Sequence, residues 1–211
     1  MKKLRKNIGL YFIIDGMYTQ DFEKYTQIAI RNKVALIQYR DKDADIRTMI
    51  GNAQKMQKLA SNSSTQFVVN DVLEVALLSN ADGIHVGQSD ESYLNVRTQM
   101  PEKIIGISTM TLEESIEAEE LGADYLGVGP IFATQTKTDT PPPIGLVKLK
   151  EIVDKITIPI VAIGGINTQN LREVLDTGVH GVAIISAILT APDPENEIKK
   201  IQEIIEKYNK R

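Results

Sequence analysis

The chain has 211 residues, a net charge of −4 and 42% hydrophobic residues, which is enough apolar content for a sizeable core and argues against disorder. Cysteine is absent and only two histidines occur, so a disulfide framework, thiolate chemistry, a cysteine zinc site and a multi-histidine metal centre are excluded. The one dense basic cluster is Lys2, Lys3, Arg5 and Lys6; the acidic balance elsewhere argues against nucleic acid as a partner. The apolar run behind that cluster is short and meets Asp15, so it reads as neither a signal peptide nor a membrane span. A cytoplasmic location is the expectation.

Strand-like and helix-like segments then alternate. Residues 8–14 form a β-rich run ending in Asp15-Gly16, and residues 22–32 read as a helix. Residues 34–39 are the next apolar run. Residues 45–60 place Ile46, Met49, Ile50, Ala53, Met56 and Leu59 at helical spacings, with Asp45 as N-cap. Strand 66–69 precedes a short helix over 72–78. Strand 83–86 precedes a helix at 91–99. Strand 103–107 precedes a helix over 111–121, which opens on a Thr111/Glu114 capping box and stops at Gly122. Strand 125–128 leads into a long polar connection, and a helix follows at 146–155. Strand 159–163, helix 170–176, strand 181–185 and helix 195–208 complete the chain.

The strands are continuous apolar runs, as in a parallel sheet covered on both faces. Asn80-Ala81-Asp82-Gly83-Ile84, Gly122-Ala123-Asp124-Tyr125-Leu126 and Gly178-Val179-His180-Gly181-Val182 look like one repeated helix-to-strand turn. Eight strand–helix units without a linker predict a single (β/α)8 TIM barrel, an α/β fold covering residues 1–211; an open doubly wound sheet is the alternative. In such a barrel the site lies at the carboxyl ends of the strands.

The polar residues expected there fall into groups. Gln38, Arg40 and Lys42 alternate along the second strand end and suit a polyanion carrying a polar ring. The competing reading pairs Arg40 and Lys42 with Asp41, Asp43 or Asp45. Asn70-Asp71 and Asp90 follow the third and fourth strands. Two carboxylates without His or Cys suit Mg²⁺, although each Asp could instead cap a helix. His85 reads as structural rather than as a metal ligand. Ser108 follows the fifth strand. Residues 124–145 contain Thr134, Thr136 and Lys137, two hydroxyls and a cation that suit a phosphate or pyrophosphate. Gly164-Gly165 after strand seven, with Ile185-Ser186 after strand eight, fit a second phosphate site. Two phosphorylated substrates, one bearing pyrophosphate on Mg²⁺, use all of these residues.

Seven ordered blocks resemble the thiamine phosphate synthase family over nearly the whole length. They are Gln38-Tyr39-Arg40-Asp41-Lys42; Asn70-Asp71; Gly83-Ile84-His85-Val86-Gly87-Gln88 with Asp90; Gly106-Ile107-Ser108; Gly127-Val128-Gly129-Pro130-Ile131-Phe132 with Thr134, Thr136 and Lys137; Gly164-Gly165-Ile166; and Ile185-Ser186. The resemblance implies joining of an aminopyrimidine diphosphate to a phosphorylated hydroxyethylthiazole. Pyrophosphate leaves first, giving a pyrimidine-methyl cation, and the thiazole nitrogen attacks it. It also implies roles. Gln38 and Asn70 contact the pyrimidine diphosphate, and Arg40, Lys42 and Lys137 hold pyrophosphate. Asp71 and Asp90 bind Mg²⁺, and Ser108 contacts the pyrimidine. Thr134 and Thr136 lie near the thiazole and the leaving group, and Gly165, Ile185 and Ser186 take the thiazole phosphate. Met110 stands where many members of the family carry His. Three alternatives are a thiazole tautomerase, which carries His where this chain has Pro130; a Schiff-base enzyme using Lys42 or Lys137; and a non-catalytic precursor-binding paralogue. The partners expected are small phosphorylated molecules, with a homo-oligomer compatible with the sequence.

Overall fold

In the computed structural model, which describes residues 4, 7–88, 92–134 and 142–210, eight parallel strands close into a barrel in sequence order. The first half runs β1 (Gly9–Asp15), α1 (Phe22–Arg31), β2 (Leu36–Arg40), α2 (Ile46–Ala60), β3 (Gln66–Asn70), α3 (Leu73–Leu78), β4 (Gly83–Val86) and α4 (Tyr93–Gln99). The second half runs β5 (Ile104–Thr109), α5 (Leu112–Glu120), β6 (Tyr125–Val128), α6 (Gly145–Lys155), β7 (Ile160–Ile163), α7 (Leu171–Leu175), β8 (Gly181–Ile184), α8 (Ser186–Leu189) and α9 (Pro194–Asn209). Pairing of β1 with β8 closes the ring and excludes the open sheet. The strands are buried on both faces, which is why they read as unbroken apolar runs.

Local chemistry sets the helix boundaries. Asp45 caps α2 by accepting from the Arg47 and Thr48 backbone N–H groups, and Thr111 and Glu114 form the expected capping box on α5. The four-residue α8 was not foreseen: Ser-Ala-Ile-Leu is too short to show a helical period.

Several strands run further than their apolar stretches suggest. Asp15, Arg40, Asn70 and Ser108 are strand residues, held by pairings such as Asp15 with Arg40 and Asn70 with His85. Polar side chains expected at loop starts are therefore fixed by the barrel ladder, which favours precise placement.

The repeated turn has a physical basis. Asn80, Gly122 and Gly178 take φ values of 52°, 92° and 90°, the left-handed cap each helix end needs. Two residues on, each copy grips the start of an earlier strand. Asp82 accepts from the Phe67 N–H, Asp124 from the Ile105 N–H, and His180 Nδ1 from the Ile160 N–H at 3.1 Å. His180 must therefore stay neutral at Nδ1, and burial pushes its pKa below the usual 6.5.

The consequence for stability has a definite sign. The folded chain resists a proton that unfolded chain accepts, so this contribution is complete above the ordinary value of 6.5 and is lost as pH falls below it through the depressed folded value. Urea midpoints measured between about pH 5 and 8 should decline toward acid, and His180→Asn should flatten that decline. An unaltered slope in the variant would contradict the assignment.

Candidate functional site

A cavity of about 960 Å³ opens at the carboxyl ends of the strands. That lies near the upper end for ligand pockets and suits more than one small ligand. Gln38, Arg40, Lys42, Asn70, Asp71, Ser108, Thr134, Gly165, Ile185 and Ser186 all line it. Asp90, Thr136 and Lys137 lie outside the described residues.

One side of the cavity is ionic. Arg40, at the end of β2, is 7% exposed and forms an ion pair with Asp15 of β1, itself 1% exposed. The two are register partners across the β1–β2 ladder. Lys42 Nζ lies 3.6 Å from Asp71 Oδ2. Neither cation pairs with Asp41, Asp43 or Asp45 as the competing reading required; Arg40 pairs with Asp15 of β1 and Lys42 with Asp71, just past the end of β3. Asn70 Nδ2 donates to Asp71 Oδ2 at 2.6 Å.

Asp71 does not cap α3. The N-cap is Val72, without a side-chain bond, and Asp71 sits at φ 60°. That left-handed backbone turns the residue out of the helical path, and Asp tolerates it better than most side chains do. Among the described residues no group of three or more His, Cys, Asp or Glu gathers to hold a metal.

The opposite side is built from backbone. Gly164 and Gly165 have φ values of 102° and 67°. A Cβ on Gly165 would lie 2.7 Å from the Ala133 carbonyl oxygen and 2.8 Å from Phe132 Cβ. The chain after β6 thus packs directly on this turn. The Ile131 N–H donates to the Ile163 carbonyl and the Phe132 N–H to the Gly164 carbonyl; the returning Ile144 N–H donates to the Pro130 carbonyl. Both ends of the long connection are tied down at its base. Asn170 braces the turn from behind, donating to the Gly165 carbonyl at 2.9 Å and accepting from the Asn167 N–H. Its side chain does this instead of capping α7.

Gly165→Ala should lower unfolding stability by about 1–3 kcal/mol, combining a strained φ with an overpacked contact. Urea titration checks this; an unchanged midpoint would mean that the 132–133 segment moves aside freely.

Ser108 lies between the two sides. Its hydroxyl is 2.8 Å from His85 Nε2, and its carbonyl accepts from Gln88 Nε2 at 2.7 Å. His85 is hydrogen-bonded within the protein at both ring nitrogens.

Residues 10–188, which include the cationic strand-two end, the acidic strand-three end and the glycine turn after strand seven, match a family model described as thiamine monophosphate synthase. The chain belongs to the thiamine monophosphate synthase family. It is 39% identical over 208 residues to the thiamine-phosphate synthase of Archaeoglobus fulgidus, spanning 99% of this chain and 98% of that one. It is 42% identical over 201 residues to the Clostridium novyi thiamine-phosphate synthase, spanning 94% and 98%. A solved thiamine phosphate pyrophosphorylase from Pyrococcus furiosus superposes with a TM-score of 0.90 at 38% identity, covering 98% of this chain and 99% of that one.

Within the thiamine monophosphate synthase family Met110 is the departure noted above. Its side chain lines the cavity, and its N–H donates to Glu114 Oε2 at 2.6 Å. The backbone there is held by the α5 capping carboxylate whatever side chain the position bears. Three residues at or behind this cavity were not singled out for it from sequence: Asp15, Tyr125 and Asn170. Asp15-Gly16 at the end of the first strand was the one available signal. The other two act through contacts that only folding creates.

Among the described residues no helix is long and apolar enough to cross a membrane.

Proposed function

We propose that this protein condenses 4-amino-5-hydroxymethyl-2-methylpyrimidine diphosphate with 4-methyl-5-(2-phosphooxyethyl)thiazole, giving thiamine phosphate and pyrophosphate. The observation that carries the reading is one cavity with an ionic side at Arg40, Lys42 and Asp71 and a backbone-built side at Gly165, Ile185 and Ser186. Two phosphorylated ligands meeting between them use both sides.

The ionic side takes the diphosphate. Arg40 and Lys42 stabilise charge as the leaving group departs, and Lys137 is assigned to the same oxygens. Asp15 holds the Arg40 guanidinium in place from beneath. Asn70 and Gln38 orient the pyrimidine diphosphate, and Ser108 meets the pyrimidine. Thr134 and Thr136 are assigned to the thiazole and the leaving group, and Gly165, Ile185 and Ser186 take the thiazole phosphate. A dissociative step needs no protein nucleophile; preorganised charge on the leaving group supplies the acceleration.

The donor set fits Mg²⁺. Asp71 offers a hard carboxylate lining the cavity, with Asp90 as the second, and Mg²⁺ is commonly held by one or two carboxylates plus substrate phosphates. Bound there, the ion would neutralise charge on the departing pyrophosphate. Pro130 lines the cavity at the position where the tautomerase branch carries His, and it offers no group for proton transfer.

Crystals soaked with thiamine phosphate, pyrophosphate and Mg²⁺ test the placement. Density for pyrophosphate against Arg40 and Lys42, and for product phosphate against Gly165 and Ser186, is expected. Pyrophosphate seated at Gly165 instead would reverse the assignment.

A further inference from the structure

Along the cavity floor runs a line of hydrogen bonds, in which Gln38, Tyr11, His85 and Ser108 all line the cavity. Gln38 Nε2 donates to the Tyr11 hydroxyl at 2.6 Å, and Tyr11 and Tyr125 hydroxyls are 3.0 Å apart. The Tyr125 hydroxyl is 2.9 Å from His85 Nδ1, and His85 Nε2 is 2.8 Å from Ser108 Oγ. The path joins β2, β1, β6, β4 and β5, and both its ends, Gln38 and Ser108, line the cavity.

The barrel is shaped around this path. A Cβ on Gly106 would fall 2.1 Å from Tyr125 Cζ and 2.5 Å from His85 Nδ1. A Cβ on Gly127 would fall 2.9 Å from His85 Cε1. Two strand positions thus carry no side chain where the two rings pack.

Counting protons gives the path a direction. An amide nitrogen has no lone pair to offer, so Gln38 Nε2 can only donate to the Tyr11 oxygen. Burial raises both phenol pKa values, so each tyrosine keeps one proton. The Tyr11 oxygen could accept twice, but Tyr11 is buried, and among the described residues the Tyr125 oxygen is the acceptor within reach of its proton, so Tyr11 donates to Tyr125. Tyr125 in turn donates to His85 Nδ1. The neutral ring then carries its proton on Nε2 and donates it to Ser108 Oγ. The Ser108 hydroxyl proton is left for the cavity.

We propose that this polarised path fixes Ser108 as a hydrogen-bond donor to substrate, with Tyr125 and His85 as positioning residues. Ser108 thereby selects an acceptor atom on the ligand. On the reading given above, that atom is a ring nitrogen of the pyrimidine rather than its amino group. Only this last identification rests on the proposed reaction. The opposite polarity would need the buried Tyr11 proton turned away from Tyr125 and His85 protonated at Nδ1, and it would make Ser108 an acceptor.

The test is the His85 tautomer, read by ¹⁵N NMR on the ligand-free protein. The chain has two histidines, so comparison with His180→Asn assigns the signals. Nε2–H is expected for His85; Nδ1–H overturns the proposal, whether or not the protein makes thiamine phosphate. Tyr125→Phe cuts the path at a residue that does not line the cavity. It should shift His85 toward a mixture of tautomers and lower kcat/KM for the pyrimidine diphosphate roughly tenfold, the scale of one hydrogen bond, with KM for the thiazole phosphate unchanged. A variant with wild-type tautomer and wild-type kinetics overturns it. Should Tyr125→Phe fail to fold, the wild-type spectrum still decides.

Discussion

Replacing Asp71 with asparagine should slow thiamine phosphate formation by roughly 10²- to 10³-fold, the cost of deleting one preorganised electrostatic contact. The substitution is chosen so that charge is almost the only thing removed. Asp71 has φ 60°, and asparagine is among the side chains that accept that conformation most readily. The Asn70 amide, which donates to Asp71 Oδ2, would still find a carbonyl oxygen there. Helix α3 keeps its start, because Val72, not Asp71, occupies its N-cap. A rate loss with an unchanged melting profile, partly recovered at higher Mg²⁺, is the expected pattern. Undiminished activity with the same Mg²⁺ dependence would remove Asp71 from the metal assignment.

Arg40→Met should cost about 3–5 kcal/mol of stability, besides weakening pyrophosphate binding. The reason lies beneath the site. Asp15 is 1% exposed, and Arg40 is its ion-pair partner. Removing the guanidinium leaves a carboxylate buried without its counter-charge. The double variant Asp15→Asn with Arg40→Met should regain most of that stability yet remain catalytically impaired. Urea titration and initial rates together separate the two effects. If the single variant were as stable as wild type, the pair would have no structural weight; if the double variant regained full activity, Arg40 would have no part in the reaction.

These two residues also mark what could be read from sequence. The place of Arg40 and Asp71 at the cavity was legible because each follows or ends an apolar run, at the barrel face where loops gather. Their partners were not. Asp15 meets Arg40 only through the β1–β2 register, and Lys42 meets Asp71 across two strand ends. Local sequence offered the nearby Asp41, Asp43 and Asp45 as competing partners; of these, Asp45 caps α2 instead.

His85 shows the same division. Its place on the fourth strand was readable, but its bond to Tyr125, 40 residues away, depends on the parity of β4 and β6 and on the space left by Gly106 and Gly127. The capping box at Thr111 and the three left-handed turns were legible because their interactions are local. Helix α8 was not, since four residues carry no period.

The central claim is tested most directly by incubating the purified protein with the pyrimidine diphosphate, the thiazole phosphate and Mg²⁺, and measuring both products. Thiamine phosphate and pyrophosphate should appear in equal amounts, and only when both substrates are present. Failure to form thiamine phosphate from authentic substrates would contradict the account.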